Sequence, residues 1–179
     1  MIAVFLANGF EEIEAFATVD VLRRAELDVV TIGVGGKVIR GSHGITVAAD
    51  VEDSQATTVG LEAVVLPGGM PGTLNLEKSP VVKHFIMTAI ENNLPVCAIC
   101  AAPSILGHLG LLKGKKAVCF PGFENELEGA EVLDSPVVED RQFITAKGAG
   151  VAIDFALSIV ARLVSKEMAE KLRQSMQCK

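Results

Sequence analysis

Short apolar runs alternate with stretches of helical periodicity along almost the whole chain. Residues 2–7, 28–32, 63–66, 95–99, 116–120 and 143–146 read as strands, most of them apolar at nearly every position. A strand with one wet face alternates apolar and polar residues; one that is apolar throughout is buried on both faces, as in a parallel sheet. Helical spacing marks residues 11–25, 80–92, 101–107, 150–164 and 166–174. This alternation predicts an α/β fold with a flavodoxin-like, doubly wound, mostly parallel sheet covered by helices on both faces. Residues 37–39 and 45–47, flanking Arg40-Gly41-Ser42-His43-Gly44, predict a small hairpin appended to it. No repeat, low-complexity segment or shift of composition divides the chain, so residues 1–179 are read as one domain.

In the helix expected over 150–164, the polar residues Asp154, Ser158 and Arg162 recur every fourth position as one narrow stripe. The remainder is apolar or small, which predicts burial nearly all round. The helix is then either clamped between sheet and terminal helix or shared with a dimer interface.

Composition narrows the possible functions. Half of the residues are apolar, 21% are charged and mean hydropathy is +0.43, which excludes a disordered chain. Sixteen Lys and Arg against 22 Asp and Glu leave a net charge of −6, the wrong sign for nucleic-acid binding. The apolar runs are too short to span a membrane, and the first has no cationic lead of the kind a secretory signal carries. The four cysteines therefore read as free thiols of a cytoplasmic protein.

Ligands of open α/β sheets bind where strands end, near a reversal of strand order. Three strand ends here carry unusual residues: Gly9-Phe10-Glu11-Glu12-Ile13-Glu14, Pro67-Gly68-Gly69-Met70-Pro71-Gly72, and Cys100-Ala101-Ala102-Pro103. At the last, a strand runs into a helix with no intervening loop, and only small residues flank the cysteine. That is the arrangement of a nucleophile elbow, in which the helix N-terminus would lower the thiol pKa. A buried structural cysteine is the alternative. The Gly68-Gly69 backbone would offer N–H donors to an oxyanion, or serve only as a turn. Glu11 and Glu12 read as solvated helix-start carboxylates, whereas apolar neighbours single out Glu14. A buried, protonated Glu14 would donate a hydrogen bond to the Cys100 sulfur and act as acid and base.

Other candidates are weaker. Cys97 and Cys100 form C-x-x-C, but Cys97 falls inside a strand, as Cys119 is expected to, and Cys178 lies in the tail. His43, His84 and His108 lack metal-ligand spacing and read as surface or helix-end residues. Neither Gly33-Val34-Gly35-Gly36 nor Gly148-Ala149-Gly150 completes a dinucleotide-binding glycine motif. No cofactor is expected.

Taken together, Gly9-x-Glu11-Glu12-x-Glu14, Val19-Asp20-Val21-Leu22-Arg23-Arg24-Ala25, Val64-Val65-Leu66-Pro67-Gly68-Gly69, Ala98-Ile99-Cys100-Ala101-Ala102-Pro103 and Gly148-x-Gly150 with Phe155-Ala156-Leu157 resemble the ThiJ/PfpI superfamily. Within it they look like the branch of the parkinsonism-associated protein deglycase. The resemblance implies a class I glutamine amidotransferase-like fold and a homodimer. It implies a nucleophilic, oxidation-sensitive Cys100, Glu14 as its protonated partner, and an anion hole from Gly69 and Ala101 beside Gly68. Phe120 and Ala149 would belong to the pocket, and Arg24 would lie near it where it is associated with the dimer. The implied activities are cofactor-free conversion of methylglyoxal to lactate and repair of glycated groups. The competing reading is an oxidative sensor or chaperone acting through a Cys100 sulfinate, and a third is a member labelled for thiazole monophosphate synthesis.

Two positions depart from the pattern. Ala101 stands where the protease and glyoxalase branches carry a histidine, and Phe120 where the deglycase branch carries one. Without a Cys-His pair, peptide hydrolysis lacks an acid for the leaving amine. No His-x-Glu pair supports an amidotransferase. The mechanism that remains adds the Cys100 thiolate to an aldehyde and shuttles a proton through Glu14.

Overall fold

Strands β1 (Ile2–Leu6), β6 (Ala63–Leu66), β7 (Val96–Ile99) and β11 (Phe143–Ala146) are buried at every residue, as apolar runs without alternation require. A computed structural model describes residues 1–178. The other strands are β2 (Val29–Gly33), β3 (Val38–Arg40), β4 (Thr46–Ala48), β5 (Val51–Glu52), β8 (Lys116–Ala117), β9 (Glu131–Val132) and β10 (Val137–Asp140). The helices are α1 (Glu12–Arg24), α2 (Gly72–Lys78), α3 (Pro80–Glu91), α4 (Pro103–His108), α5 (Ala152–Leu163) and α6 (Lys166–Ser175). The central sheet runs β10-β11-β7-β6-β1-β2-β5 and is parallel except for the edge strand β10. The chain leaves β1 for β2 on one side and later returns to place β6 on the other. The reversal of strand order thus falls between β1 and β6.

Strand residues sort alternately into two apolar layers. Ile2, Val4, Leu6, Val65 and Ile99 pack with Leu22 of α1, Phe155 of α5 and Leu172 of α6. Ala3, Phe5, Val64, Leu66 and Ala98 pack with Phe85 and Ile86 of α3 and Leu106 of α4. Phe5 and Phe85 meet edge to face at 5.1 Å. Each such buried side chain contributes about 1.5–3 kcal/mol, which holds the strand ends in place beneath the site.

The expected elements are present, with shifts that bear on the site. Of the strand expected over 116–120 only Lys116–Ala117 pairs, with β9 rather than with the central sheet. Beyond it, the Val118 N–H turns to the Thr145 hydroxyl at 2.9 Å and the Phe120 N–H to the Cys100 carbonyl at 2.8 Å. Cys119 is accordingly a buried loop residue rather than a strand residue. Helix α4 begins at Pro103, so a turn of three residues separates it from β7. Helix α2 and strand β10 were not expected. β10 joins β11 through Arg141-Gln142, with Arg141 at φ +55° in place of the glycine or asparagine that would have signalled a tight hairpin. Helix α5 packs between α1 and α6, but Ile153 is 41% exposed, so it is not buried all round.

The hairpin β3–β4 forms as expected and explains a misread glutamate. Glu12 is buried, not solvated, because its carboxylate receives the loop between those strands. It accepts the His43 N–H at 2.7 Å, meets His43 Nδ1 at 2.8 Å and is reached by the Ile45 N–H at 3.4 Å. Burial alone would raise its pKa, but these hydrogen bonds bring it down to about 2.

His108 ties three elements together. Its Nδ1 lies 2.5 Å from Glu77 of α2 and its Nε2 2.8 Å from Glu126, which follows the Phe120 loop. Both ring nitrogens face carboxylates, so both carry protons, and the bond to Glu77, then that to Glu126, raises the pKa above 6.5. A pKa raised by folding stabilises fully below the unfolded value and loses that contribution as pH rises through the native one. Wild type should therefore have a higher Tm than His108→Asn at pH 6, and the gap should close by pH 9. A gap independent of pH would show that the bridge does not carry this charge.

Candidate active site

The ends of β1, β6 and β7 meet at the reversal of strand order, held by backbone contacts too close for side chains. The Glu11 N–H donates to the Gly68 carbonyl at 2.9 Å, and the Gly72 N–H to the Gly9 carbonyl at 3.1 Å. Gly69 has φ +90°, and a Cβ there would lie 2.4 Å from the Glu11 nitrogen. One on Gly68 would lie 2.7 Å from the Cys100 Cβ and 2.8 Å from a Glu14 oxygen. These glycines let the β6 loop lie directly against both Cys100 and Glu14.

Cys100 sits in this junction at φ +66°, the left-handed region that non-glycine residues enter at a cost of about 1–3 kcal/mol. The turn is locked on both sides, by the Cys100 N–H to the Ala146 carbonyl at 2.9 Å and by its own carbonyl accepting from Phe120. The elbow is thus a strained turn, with the thiol partly exposed.

Glu14 is 1% exposed and reaches the junction from the first turn of α1, where its N–H is capped by the Glu11 carboxylate at 2.8 Å. Its Oε2 accepts the Gly68 N–H at 2.8 Å, while Oε1 is buried without a hydrogen-bond partner. Burial pushes this carboxyl up to about 7, against the pull of the Gly68 N–H and the Cys100 thiol. Burial, followed by the Glu14 carboxylate, also pushes the Cys100 thiol up to about 12, while the Ala101 and Gly69 N–H groups draw it back. The expected lowering by a helix N-terminus is not met, because α4 starts too late and burial dominates. Around neutrality the pair gives up one proton, not two.

The predicted residues divide accordingly. Gly69 and Ala101 direct N–H groups at the sulfur, whereas the Gly68 N–H is consumed by Glu14 and is unavailable to an anion. Phe120 and Ala149 line an open cleft of about 370 Å³ with Pro121, Lys147, Gly148, Gly150 and Val151. Within one chain Arg24 pairs with Asp20 at 2.6 Å, ten residues from Glu14 and so about 15 Å along the helix; the pocket the resemblance implies for it is the dimer-associated one. Cys97 is fully buried and burial holds its thiol far above the ordinary value. Burial pushes Cys119 up to about 11, and it packs in the layer opposite to the one Cys100 adjoins. Lys147 had no motif to announce it and comes to the cleft only because β11 lies beside β7.

Among the described residues, Glu11, Glu12 and His43 are the group whose ligand atoms approach within 4.8 Å of one another. The Glu12 oxygens are already engaged by the hairpin loop, so the cluster is a latch. No described helix is long and apolar enough to cross a membrane.

The chain is thus an α/β protein whose mostly parallel sheet carries at its carboxyl edge a cysteine on a strained elbow beside a buried carboxylic acid. The profile of the DJ-1/PfpI family matches residues 1–162, and the chain belongs to that family. It is 35% identical to "Protein DJ-1 homolog B" of Arabidopsis thaliana over 97% of its own length, although it spans only 40% of that relative. It is 31% identical to "Glutathione-independent glyoxalase DJR-1.2" of Caenorhabditis elegans, covering 90% of this chain and 87% of that one. A crystal structure of a mutant DJ-1 superfamily protein from Salmonella typhimurium superposes with a TM-score of 0.94 at 36% identity, covering 98% of this chain and 97% of the other.

Proposed function

We propose that this chain converts 2-oxoaldehydes to 2-hydroxyacids without a cofactor, with methylglyoxal giving lactate. The observation that carries this reading is a Cys100 thiol on a left-handed elbow, against a Glu14 carboxyl pushed up to about 7. The C. elegans relative named a glutathione-independent glyoxalase supports it. Proton transfer from sulfur to Glu14 leaves a thiolate facing the Gly69 and Ala101 N–H groups. The thiolate adds to the aldehyde carbon, forming a C–S bond as the C=O π pair moves to oxygen, and that oxygen takes the proton back from Glu14 to give a hemithioacetal, which leaves Glu14 free as a base. Glu14 then moves the proton of that carbon to its neighbour through an enediol, giving a thioester of the hydroxyacid. Water cleaves the thioester, releases lactate and returns the thiol. The net change is addition of one water, with the aldehyde carbon oxidised and its neighbour reduced. A glycated amine or thiol would enter the same path once its hemiaminal or hemithioacetal collapses, the amine or thiol leaving with the hydroxyl proton and the freed aldehyde carbon being taken by Cys100.

A second reading, oxidative sensing, is favoured by the absence of any histidine where Ala101 and Phe120 stand. There two equivalents of peroxide convert the Cys100 thiolate to a sulfinate, held by the same donors. Lactate formation from methylglyoxal separates the two. Wild type should turn over and Cys100→Ser should fall to the buffer rate. No turnover by wild type, with peroxide adding two oxygens selectively at Cys100, would replace the first reading by the second.

A further inference from the structure

The cleft lined by Phe120 and Ala149, whose backbone borders the Cys100 turn, has an apolar wall and a charged group. Phe120, Pro121, Ala149 and Val151 supply the wall, and Lys147 is the only charged residue among the described ones that lines it. Its position relative to the nucleophile is fixed by backbone. Lys147 follows directly on the Ala146 carbonyl that accepts the Cys100 N–H, and Phe120 donates to the Cys100 carbonyl. The Phe120 ring in turn lies against Gly148, where an added Cβ would sit 3.2 Å away.

The ammonium of Lys147 is poorly committed. It pairs at 2.5 Å with Asp134, whose side chain is 91% exposed, and Lys147 lines both this cleft and a second one bordered by Asp134, Glu124 and Cys119. An ion pair so open to water is weak and exchanges readily. An anion entering the apolar cleft would meet the same ammonium where water competes less. In a chain of net charge −6, an anionic substrate needs such a receptor.

We propose that Lys147 makes the Cys100 site selective for 2-oxoaldehydes that carry an anion, carboxylate or phosphate, at the end remote from the aldehyde. This selectivity rests on the aldehyde-converting reading of Cys100 and Glu14. The thiolate takes the aldehyde carbon, the connecting carbons lie against Phe120 and Val151, and Lys147 leaves Asp134 for the anionic end. Chemistry at the reacting carbons is unchanged, and one water is added to give the anionic 2-hydroxyacid.

The test compares kcat/KM for 4,5-dioxopentanoate and for hydroxypyruvaldehyde phosphate with that for methylglyoxal. Wild type should prefer at least one anionic substrate, and the better of the two identifies the anion. Lys147→Met should reduce that preference about 10- to 100-fold, Lys147→Arg should keep it, and Asp134→Asn, by freeing the ammonium, should raise it. A preference that survives Lys147→Met overturns the proposal, as does wild-type turnover with no anionic preference. Binding is read separately, as protection of Cys100 from iodoacetamide by the non-reacting 2-hydroxyglutarate. If no aldehyde turns over but protection is present and is lost in Lys147→Met, the anion receptor stands and the enzymatic reading falls. If protection is absent or survives Lys147→Met, the receptor falls too.

Discussion

Glu14→Gln should sharply reduce turnover while making the protein more stable above neutral pH. Removing a positioned acid and base costs about 10²- to 10⁴-fold in rate, and the limb near pH 7 in the wild-type pH profile should disappear from whatever activity remains. The stability gain follows from the same burial. The native carboxyl keeps its proton up to about 7, against 4.5 for an ordinary glutamate. Between those values the native state binds more protons than the unfolded one, so stability falls as pH rises. At about 1.4 kcal/mol per pH unit the loss by pH 8 is about 3 kcal/mol. Glutamine does not titrate, and its amide oxygen can keep the bond that Oε2 accepts from Gly68. Denaturant melts of both proteins at pH 4.5 and pH 8 measure this directly. If the stability difference between them did not change with pH, Glu14 would not be the buried acid described here.

Gly69→Ala should cost about 3 to 4 kcal/mol, left-handed backbone strain and overpacking together. A methyl group at φ +90° would sit 2.4 Å from the Glu11 nitrogen and 2.6 Å from both the Gly9 oxygen and the Phe10 carbonyl carbon. All three are backbone atoms at the interlocked ends of β1 and β6, so none can rotate away. The Gly69 N–H facing the Cys100 sulfur would also move, which adds a loss of activity to the loss of stability. Gly35→Ala is the control. Its φ is +80° but nothing lies within 4 Å of the added carbon, so only the strain of about 1 to 2 kcal/mol remains. Equal Tm losses in the two variants would show that the close approach of the loops contributes nothing.

Much of the site could be read from contiguous residues because its main parts are locally encoded. Uninterrupted apolar runs require strands covered on both faces, and β1, β6, β7 and β11 are covered in that way. The small residues around Cys100 announced a turn that tolerates φ +66°, and the apolar neighbours of Glu14 announced its burial. Gly68 and Gly69 were legible as a backbone approach, though not which atom each would serve.

The rest depends on partners far apart in sequence. Glu12 read as solvated because the loop that buries it, around His43, lies 31 residues away. His108 showed no partner because its two carboxylates are 31 residues before it and 18 after it. The Gly68 N–H passed for an anion donor until Glu14, 54 residues distant, was seen to occupy it. Arg24 and Glu14 share helix α1, which sets them about 15 Å apart along its axis within one chain. By itself the sequence determined which segments are buried strands, which cysteine stands on the elbow and which carboxyl is apolar enough in its surroundings to be buried beside it. Only the tertiary structure decided which donors meet which acceptors, and that Lys147 borders the cleft next to the Cys100 turn. Burial is set by the character of neighbouring residues along the chain, whereas hydrogen-bond partners are chosen by the packing of segments the chain itself keeps apart.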